Sequence, residues 1–263
     1  MRLETATEGE IIYDGTDLTK LSERQFKPYR RRIQMIFQDP FASLDQRMTV
    51  SQLIAEPIRT LTKEKDKKKI MGRARELMDM VGLARRLENT YPHELDGGRR
   101  QRIGIARALA SEPELIVCDE PVSALDVSIQ AQVINLLQDL QKQKNLTYIF
   151  ITHDLSVVKH ISDKIAVMYL GQIVETSGSK ELFANTLHPY TKALFSAIPI
   201  PDIDVKRERI LLKGELSSPV NPGMGCRFAK RCLYACEACP KAQVPLKDYG
   251  NGHKAACCRI EGG

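Results

Sequence analysis

Several features that define common classes of protein are missing from this sequence. No apolar run approaches the roughly 20 residues of a membrane-spanning helix, and no apolar signal region follows Met1. There is no internal repeat and no low-complexity tract, and the phosphate-binding motif G-x-x-x-x-G-K-S/T does not occur. With 43% hydrophobic and 27% charged residues among 263, the chain is expected to form a globular core and to stay in the cytosol.

The net charge of +6 does not indicate a nucleic-acid-binding protein. Its basic residues are scattered, and the run from Lys63 to Lys69 is interrupted by Glu64 and Asp66. A mixed run of this kind is typical of a solvated helix face. We therefore expect no nucleic-acid partner.

The cysteines are unevenly distributed. Six of the seven fall between Cys226 and Cys258, whereas Cys118 stands alone in an apolar segment. An isolated cysteine there is expected to behave as a small buried hydrophobe. In a cytosolic chain, the clustering of the other six favours a metal site over disulfides.

The pattern of apolar residues predicts an α/β fold. A hairpin with an Asp14-Gly15 turn begins the chain, a strand is expected over 33–38, and the helical pattern from Val50 onward is closed by Gly82. Strands are then expected over 115–118, 147–151 and 165–170. A helix over 128–142 separates the first two strands, and a short helix from Asp154 separates the last two. This alternation predicts parallel crossovers in one sheet. Beyond Phe183, recurring prolines indicate an irregular module that holds the cysteines.

An apolar strand ends on two adjacent carboxylates, Asp119 and Glu120. The carboxyl ends of parallel strands are where open α/β sheets place ligands. Asp119 would orient Mg²⁺, and Glu120 would accept a proton from an attacking water. The alternative is a surface turn with two solvated acids.

Two further side chains are expected near that edge. His153 comes after the next strand and could hydrogen-bond a terminal phosphate, although a lone histidine is often structural. Gln38 ends an earlier strand, and its amide could contact Mg²⁺ or the lytic water; the alternative is an ordinary strand-ending polar residue. Gly97 and Gly98 would let backbone N–H groups at the start of a helix approach an anion. The alternative is that they only make the start of that helix flexible and bind no ligand.

Taken together, these segments resemble the nucleotide-binding subunit of an ABC transporter. The matching segments correspond to the Q-loop, the signature, the Walker B strand, the D-loop and the H-loop: Gln38, Leu95 to Arg99, Asp119-Glu120, Ser123 to Asp126, and His153. The resemblance implies that Asp119 binds Mg²⁺, that Glu120 is the catalytic base assisted by His153 and Gln38, and that ATP is contacted by the residues Asp96, Gly97, Gly98, Arg99 and Asp126.

Other segments are similar to the dipeptide and oligopeptide importer branch of that family, namely 37–44, 91–94, 126–132 and 188–191. The resemblance implies a RecA-like P-loop NTPase core at 1–184, a helical subdomain at about 41–110, and a small cysteine-rich C-terminal extension at 185–263. The segment from Met1 to Gly9 resembles the stretch that comes after the phosphate-binding helix in this family. We therefore expect the core to lack its first strands and its phosphate loop, through an N-terminal truncation or a late start.

The signature segment departs from the family pattern. Asp96 replaces a serine that would donate to the terminal phosphate of the facing subunit's ATP, and Arg99 replaces a glutamine. An aspartate would set negative charge against negative charge, which Arg99 would partly offset. We expect a degenerate site.

The cysteines also match a family feature. Four of them resemble the spaced cysteines of the peptide-importer extension, where the resemblance implies a 4Fe-4S cluster or Zn²⁺: Cys226, Cys232, Cys239 and Cys257. Cys236 and Cys258 are additional to that pattern.

The function implied by the resemblance is that of the ATP-binding subunit of an ABC importer, which couples ATP hydrolysis to uptake of dipeptides or oligopeptides. Its expected partners are transmembrane permease subunits, a second ATPase subunit in a heterodimer, and indirectly an extracytoplasmic substrate-binding protein. Its expected location is the cytoplasmic face of the membrane, as a peripheral subunit. Two alternatives stay open, a non-catalytic structural subunit and an inactive truncated gene product.

Overall fold

A computed structural model describes residues 3–198, 209–215, 218, 220 and 222–260. The chain forms two compact units, Met1–His153 and Asp154–Gly263. The domain boundary predicted between residues 184 and 185 rests on family architecture and stays a prediction, as does the helical subdomain at 41–110. Met1 and Arg2, which begin the segment predicted to come after a phosphate-binding helix, lie outside the described residues.

The described part of the first unit contains five strands and five α-helices. The first two strands form a short hairpin. In chain order these are β1 (Ile12–Tyr13), β2 (Thr16–Asp17), α1 (Glu23–Arg32), β3 (Ile33–Ile36), α2 (Val50–Leu61), α3 (Lys67–Met80), α4 (Gly97–Leu109), β4 (Leu115–Asp119), α5 (Val127–Lys144) and β5 (Thr147–Ile151). The predicted hairpin is confirmed, since β1 and β2 pair across Asp14 and Gly15, which both have positive φ.

A parallel sheet of order β3-β4-β5 forms the centre of the first unit. The predicted strand at 147–151 is confirmed residue for residue, whereas the strand predicted over 33–38 ends at Ile36. Ile116 and Cys118 of β4 are fully buried, and burial raises the pKa of the Cys118 thiol to about 12, as expected for an inert core cysteine. The carboxyl ends of all three strands meet at one edge of the sheet.

Helices α2, α3 and α4 share an apolar core. The helical pattern predicted from Val50 onward is confirmed by α2 and α3. The apolar face of α3 is nearly inaccessible to solvent and consists of Ile70, Ala74, Leu77, Met78 and the following Val81. Gly82 ends this segment. Its φ of +70° is the left-handed conformation in which many helices end, and glycine adopts it readily.

The second unit is built on an antiparallel sheet of order β6-β7-β9-β8. Its elements are α6 (Leu155–Ile161), β6 (Lys164–Tyr169), β7 (Gln172–Gly178), α7 (Ser179–Ala184), α8 (Pro189–Ser196), β8 (Lys247–Asp248) and β9 (Lys254–Ala255). The prediction that the strand at 165–170 continues the parallel sheet is wrong. Leu170 and Gly171 both have positive φ, so the chain turns back within two residues and β6 pairs with β7 instead.

The region beyond Phe183 is more ordered than predicted. Helix α8 begins at Pro189 in a position that suits proline, and β9 adds the C-terminal segment to the edge of β7. The prolines at 199, 201 and 219, on which the prediction of an irregular module partly rested, lie outside the described residues. The cysteine-bearing segment is therefore anchored to a sheet by backbone hydrogen bonds.

Candidate functional site

The Glu120 carboxylate lies between two side chains at the carboxyl edge of the parallel sheet. Nε2 of Gln38 donates to its Oε2 at 2.9 Å, and Nδ1 of His153 lies 3.1 Å from its Oε1. The imidazole tautomer with its proton on Nδ1 satisfies this second contact. The structure thus brings together the three residues predicted for catalysis, and their catalytic roles stay predictions.

The backbone of Glu120 is unusual. Its φ is +43°, in the left-handed region that non-glycine residues rarely adopt. The Glu120 amide donates to the carbonyl of Ile151 at 2.9 Å, and its own carbonyl accepts from both the amide and the hydroxyl of Ser123. This backbone conformation costs about 1–3 kcal/mol, and the hydrogen bonds offset that cost. Strained backbone of this kind is common at functional sites.

Asp119 is the last residue of β4, directly before Glu120. Together with the side-chain oxygen of Gln38, the two carboxylates offer the hard oxygen ligands that Mg²⁺ prefers. The donor chemistry of this edge therefore suits Mg²⁺. The assignment of the ion to Asp119 stays a prediction.

Asp96 has a structural use that the sequence did not reveal. Its Oδ1 accepts the backbone amide of Arg99 at 2.8 Å and so caps the N-terminus of α4. The Arg99 guanidinium lies 3.4 Å from Oδ2 of the same carboxylate in an exposed ion pair. A serine at this position would preserve the cap while removing the charge.

The start of α4 packs against the segment that leads into α5. A β-carbon on Gly98 would lie only 2.7 Å from Cγ2 of Ile129, and one on Gly97 would lie 3.2 Å from Cδ2 of Leu125. Asp126 caps α5 through the amide of Ile129, which together with the Ser128 hydroxyl lowers the pKa of the aspartate. Two predicted ATP-contacting segments are thus in direct contact, with close approach permitted by glycine.

The four cysteines predicted as metal ligands line one small cavity in the second unit, together with Cys258 and the buried His188. Burial is the main cause that raises the pKa of the Cys226 and Cys232 thiols, and neighbouring cysteines add to it. Gly225 allows this arrangement, because a β-carbon there would lie 2.4–2.5 Å from backbone atoms of Cys239 and Pro240. Gathered thiols of this kind suit a soft metal centre.

Three cysteine sulfurs lie closer together than any others in the described part of the chain. Cys236 and Cys239 are separated by 3.6 Å, Cys239 and Cys258 by 3.6 Å, and Cys236 and Cys258 by 3.8 Å. Two of these residues are the ones that the family pattern leaves out. The signal available in the sequence was the C-x-x-C spacing of Cys236 and Cys239.

A buried carboxylate links the cysteine segment to the sheet, and no pattern in the sequence indicated it. Glu175 of β7 accepts from the amides of Leu187 and His188 at 2.7 and 3.0 Å, and its Oε1 lies 2.8 Å from Nε2 of His253. Glu175 and His253 are almost completely buried. This arrangement satisfies a buried charge and holds β9 in place.

Comparison with known proteins extends these observations. Residues 1–123 match the ABC transporter family, and residues 174–239 match the family described as the C-terminal region of oligopeptide/dipeptide transporters. In the described part of the chain, no helix is both long enough and apolar enough to cross a bilayer.

Curated relatives match almost the whole chain. It is 54% identical over 259 residues to the putative oligopeptide transport ATP-binding protein YkfD of Bacillus subtilis (strain 168), which covers 98% of this chain and 79% of that protein. It is 51% identical over 261 residues to the oligopeptide transport ATP-binding protein OppF of Escherichia coli (strain K12), covering 98% and 78% respectively.

Solved structures agree with these relatives. The dimeric ATP-binding cassette MJ0796 bound to ADP and Pi matches with a TM-score of 0.61 and 28% identity, over 67% of this chain and 76% of that one. The structure of cbiO1 from Clostridium perfringens, part of the transporter complex cbiONQ, matches with a TM-score of 0.62 and 27% identity, over 70% and 71%.

The fold and the Glu120 edge define an ATP-binding cassette with the α/β core of the P-loop NTPases. Within that class, the chain belongs to the oligopeptide/dipeptide importer family of ABC transporter ATP-binding proteins.

Proposed function

We propose that this chain is an ATP-binding subunit of a peptide importer, and that it couples ATP hydrolysis to uptake of dipeptides or oligopeptides. The observation that supports this most directly is the Glu120 carboxylate held between Gln38 and His153 at the carboxyl edge of the sheet. The similarity to OppF, an oligopeptide transport ATP-binding protein, supports the substrate class.

In this proposal Glu120 accepts the proton of the attacking water. Gln38 and His153 orient the carboxylate by binding one oxygen each, so that only the remaining lone pairs are available to the water. Asp119 holds Mg²⁺, which when bound with ATP neutralises the charge developing on the phosphates. His153 would also hydrogen-bond the terminal phosphate.

The segment from Asp96 to Arg99 serves the facing ATPase subunit. The Asp96 carboxylate at the start of helix α4 is exposed, so that a second subunit could bring its nucleotide to it. Because Asp96 is an anion, we propose that this half-site is weaker than one with serine and that the partner is a different ATPase, in a heterodimer. Dimeric cassettes such as MJ0796 support an assembly of two subunits.

The remaining partners belong to the same proposal. The subunit is peripheral at the cytoplasmic face of the membrane and docks on transmembrane permease subunits, while an extracytoplasmic binding protein delivers the substrate. In the C-terminal extension, the thiols of Cys226, Cys232, Cys239 and Cys257 would hold a 4Fe-4S cluster or Zn²⁺, and their shared cavity supports this.

The assembled transporter, with permease and second ATPase, tests this proposal. We expect Glu120→Gln to lower ATP turnover by about 100-fold or more, because the amide cannot accept the water's proton. The control is Glu112→Gln, which alters the other described glutamate with positive φ, at +56°. An unchanged turnover in Glu120→Gln would overturn the proposal that this chain hydrolyses ATP.

A further inference from the structure

Residues 39–43, which directly follow Gln38, form a compact turn held by its own hydrogen bonds. Oδ1 of Asp39 accepts from the amide of Phe41 at 2.8 Å. The Ser43 amide donates to the Asp39 carbonyl at 3.2 Å, and the Ser43 hydroxyl donates to a carbonyl within the same turn. A turn bonded in this way moves as one unit. Whatever holds it in place therefore also restricts the position of Gln38.

Two arginines of helix α4 contact this turn from one face of the helix. Nη1 of Arg107 donates to the carbonyl of Ser43 at 2.5 Å. The guanidinium of Arg100 lies over the ring of Phe41, 5.0 Å from its centroid. The two arginines are about two helical turns apart and so share a face of α4. The turn is thus attached to α4 at two points.

The contact made by Arg107 is the stronger of the two. Arg107 is half-buried, and burial lowers the pKa of its guanidinium, against an opposing effect of Glu56 in α2. A cation that is partly removed from water needs acceptors in the protein, and a hydrogen bond from a charged donor is about twice as strong as a neutral one. Phe41, in contrast, is 47% exposed, which weakens its cation–π contact with Arg100.

Helix α4 thereby connects two parts of the proposed ATPase site. Asp96 caps its N-terminus, in the segment proposed to serve the facing subunit. Arg107, near its C-terminal end, holds the turn that follows Gln38, and Gln38 in turn donates to Glu120 at 2.9 Å. Because a helix is stiff, a displacement of α4 carries the turn with it and changes the position of the Gln38 amide.

We propose that Arg107 is a positioning residue for ATP hydrolysis, which anchors residues 39–43 to α4 and so places the Gln38 amide on the Glu120 carboxylate. The inference rests on the proposed function, in which Glu120 accepts the proton of the attacking water. Arg107 itself touches neither nucleotide nor water. Its effect on the rate is indirect, since misplacing a catalytic group by about 1 Å can cost up to about 100-fold.

A double-mutant cycle in the assembled transporter tests this role. Methionine at position 107 keeps an apolar stem but cannot donate, so Arg107→Met should lower ATP turnover about fivefold. The KM for ATP should change little, because Arg107 does not contact the nucleotide. In a Gln38→Ala background the same substitution should have little further effect. Losses that multiply in the cycle would overturn the inference.

Hydrogen exchange provides a measurement that does not depend on activity. In Arg107→Met, the amides of Phe41 and Ser43 should exchange at least about tenfold faster than in wild type, because their turn has lost its anchor. If Arg107→Met does not assemble, Arg107→Lys replaces it in both measurements. Its shorter side chain keeps the charge but reaches less far, so it should show the same pattern with a smaller loss. Unchanged exchange would overturn the inference.

Arg102→Met is the matched control. Arg102 lies on the same helix and also donates to a backbone carbonyl, that of Val81 at 2.7 Å, but at the end of α3. Turnover in this variant should stay within about twofold of wild type, with unchanged exchange at Phe41 and Ser43. Equal effects in Arg102→Met would show a general loosening of α4 and overturn the positioning role.

Glu120→Gln distinguishes failure of this inference from failure of the proposed function. If turnover does not respond to Glu120→Gln, the proposed function fails, and the inference fails with it. If turnover falls in Glu120→Gln but does not fall in Arg107→Met, the proposed function stands and only the positioning role is overturned.

Discussion

Nε2 of Gln38 donates a 2.9 Å hydrogen bond to Oε2 of Glu120, across 82 residues of sequence. The bond joins the loop after β3 to the turn after β4, so that the amide and the carboxylate act as one unit. Because His153 contacts the other oxygen, the position of the carboxylate depends on both neighbours.

The first prediction concerns the coupling of Gln38 to Glu120. In the assembled transporter, Gln38→Ala should lower ATP turnover by about 10-fold, because the carboxylate loses one of the groups that orient it. In a Glu120→Gln background the same change should have little further effect. Losses that simply multiply in this double-mutant cycle would show that the two side chains act independently.

Charge at Asp96 is the subject of the second prediction. Asp96→Ser should raise ATP turnover at the facing site by about 10-fold, because serine removes the negative charge and restores a donor while preserving the cap on α4. Asp96→Ala removes the charge without the donor and should lose about 1 kcal/mol of stability. An unchanged rate in the serine variant would mean that the carboxylate does not face the nucleotide.

The third prediction compares two glycines of helix α4. Gly98→Ala should lower the free energy of unfolding by about 1–3 kcal/mol, because its β-carbon would meet Ile129 at 2.7 Å. Gly104→Ala should be neutral or stabilising by up to about 1 kcal/mol, because the added methyl meets nothing within 4 Å and alanine favours helix. Denaturant unfolding followed by circular dichroism measures both, and a similar loss in the two variants would contradict the packing argument.

Gly225 provides the fourth prediction. Gly225→Ala should disturb the cysteine segment, because its β-carbon would lie within 2.5 Å of the carbonyl oxygens of Cys239 and Pro240. Backbone atoms cannot move aside as a flexible side chain can, so we expect weaker metal uptake and faster proteolysis of the second unit. Gly223→Ala is the control, since its β-carbon would meet nothing within 4 Å. Intact metal uptake in Gly225→Ala would show that the segment adapts.

The fifth prediction concerns pH. Burial lowers the pKa of His188 from 6.5 to about 4, against an opposing effect of the Glu175 carboxylate. The unfolded chain therefore binds this proton first as pH falls, and stability should decrease between about pH 6.5 and pH 4, by roughly 3 kcal/mol at most. In His188→Asn the asparagine oxygen can still accept the Tyr190 amide but does not titrate. Its unfolding free energy should vary less over this window; an equal pH dependence would assign the effect to other groups.

Local signals in the sequence predicted most of the secondary structure. Strand β5 and the apolar face of α3 follow from the spacing of apolar residues along the sequence. The Asp14-Gly15 turn forms because both residues tolerate positive φ. The same reasoning failed for β6, because strand alternation alone does not say which edge a strand joins. The two-residue turn at Leu170 and Gly171 decided that pairing.

The candidate site was likewise predictable only in part. The sequence by itself determined that Asp119 and Glu120 end a buried strand, and it identified Gln38 and His153 as companions, because strand ends and family motifs are local. Only the tertiary structure decided that Glu120 adopts φ +43° and bridges both side chains. Likewise, only folding brings Cys258 to 3.6 Å from Cys239, 19 residues away along the chain. Such distances depend on sheet register and turn geometry, which combine contributions from residues far apart in sequence.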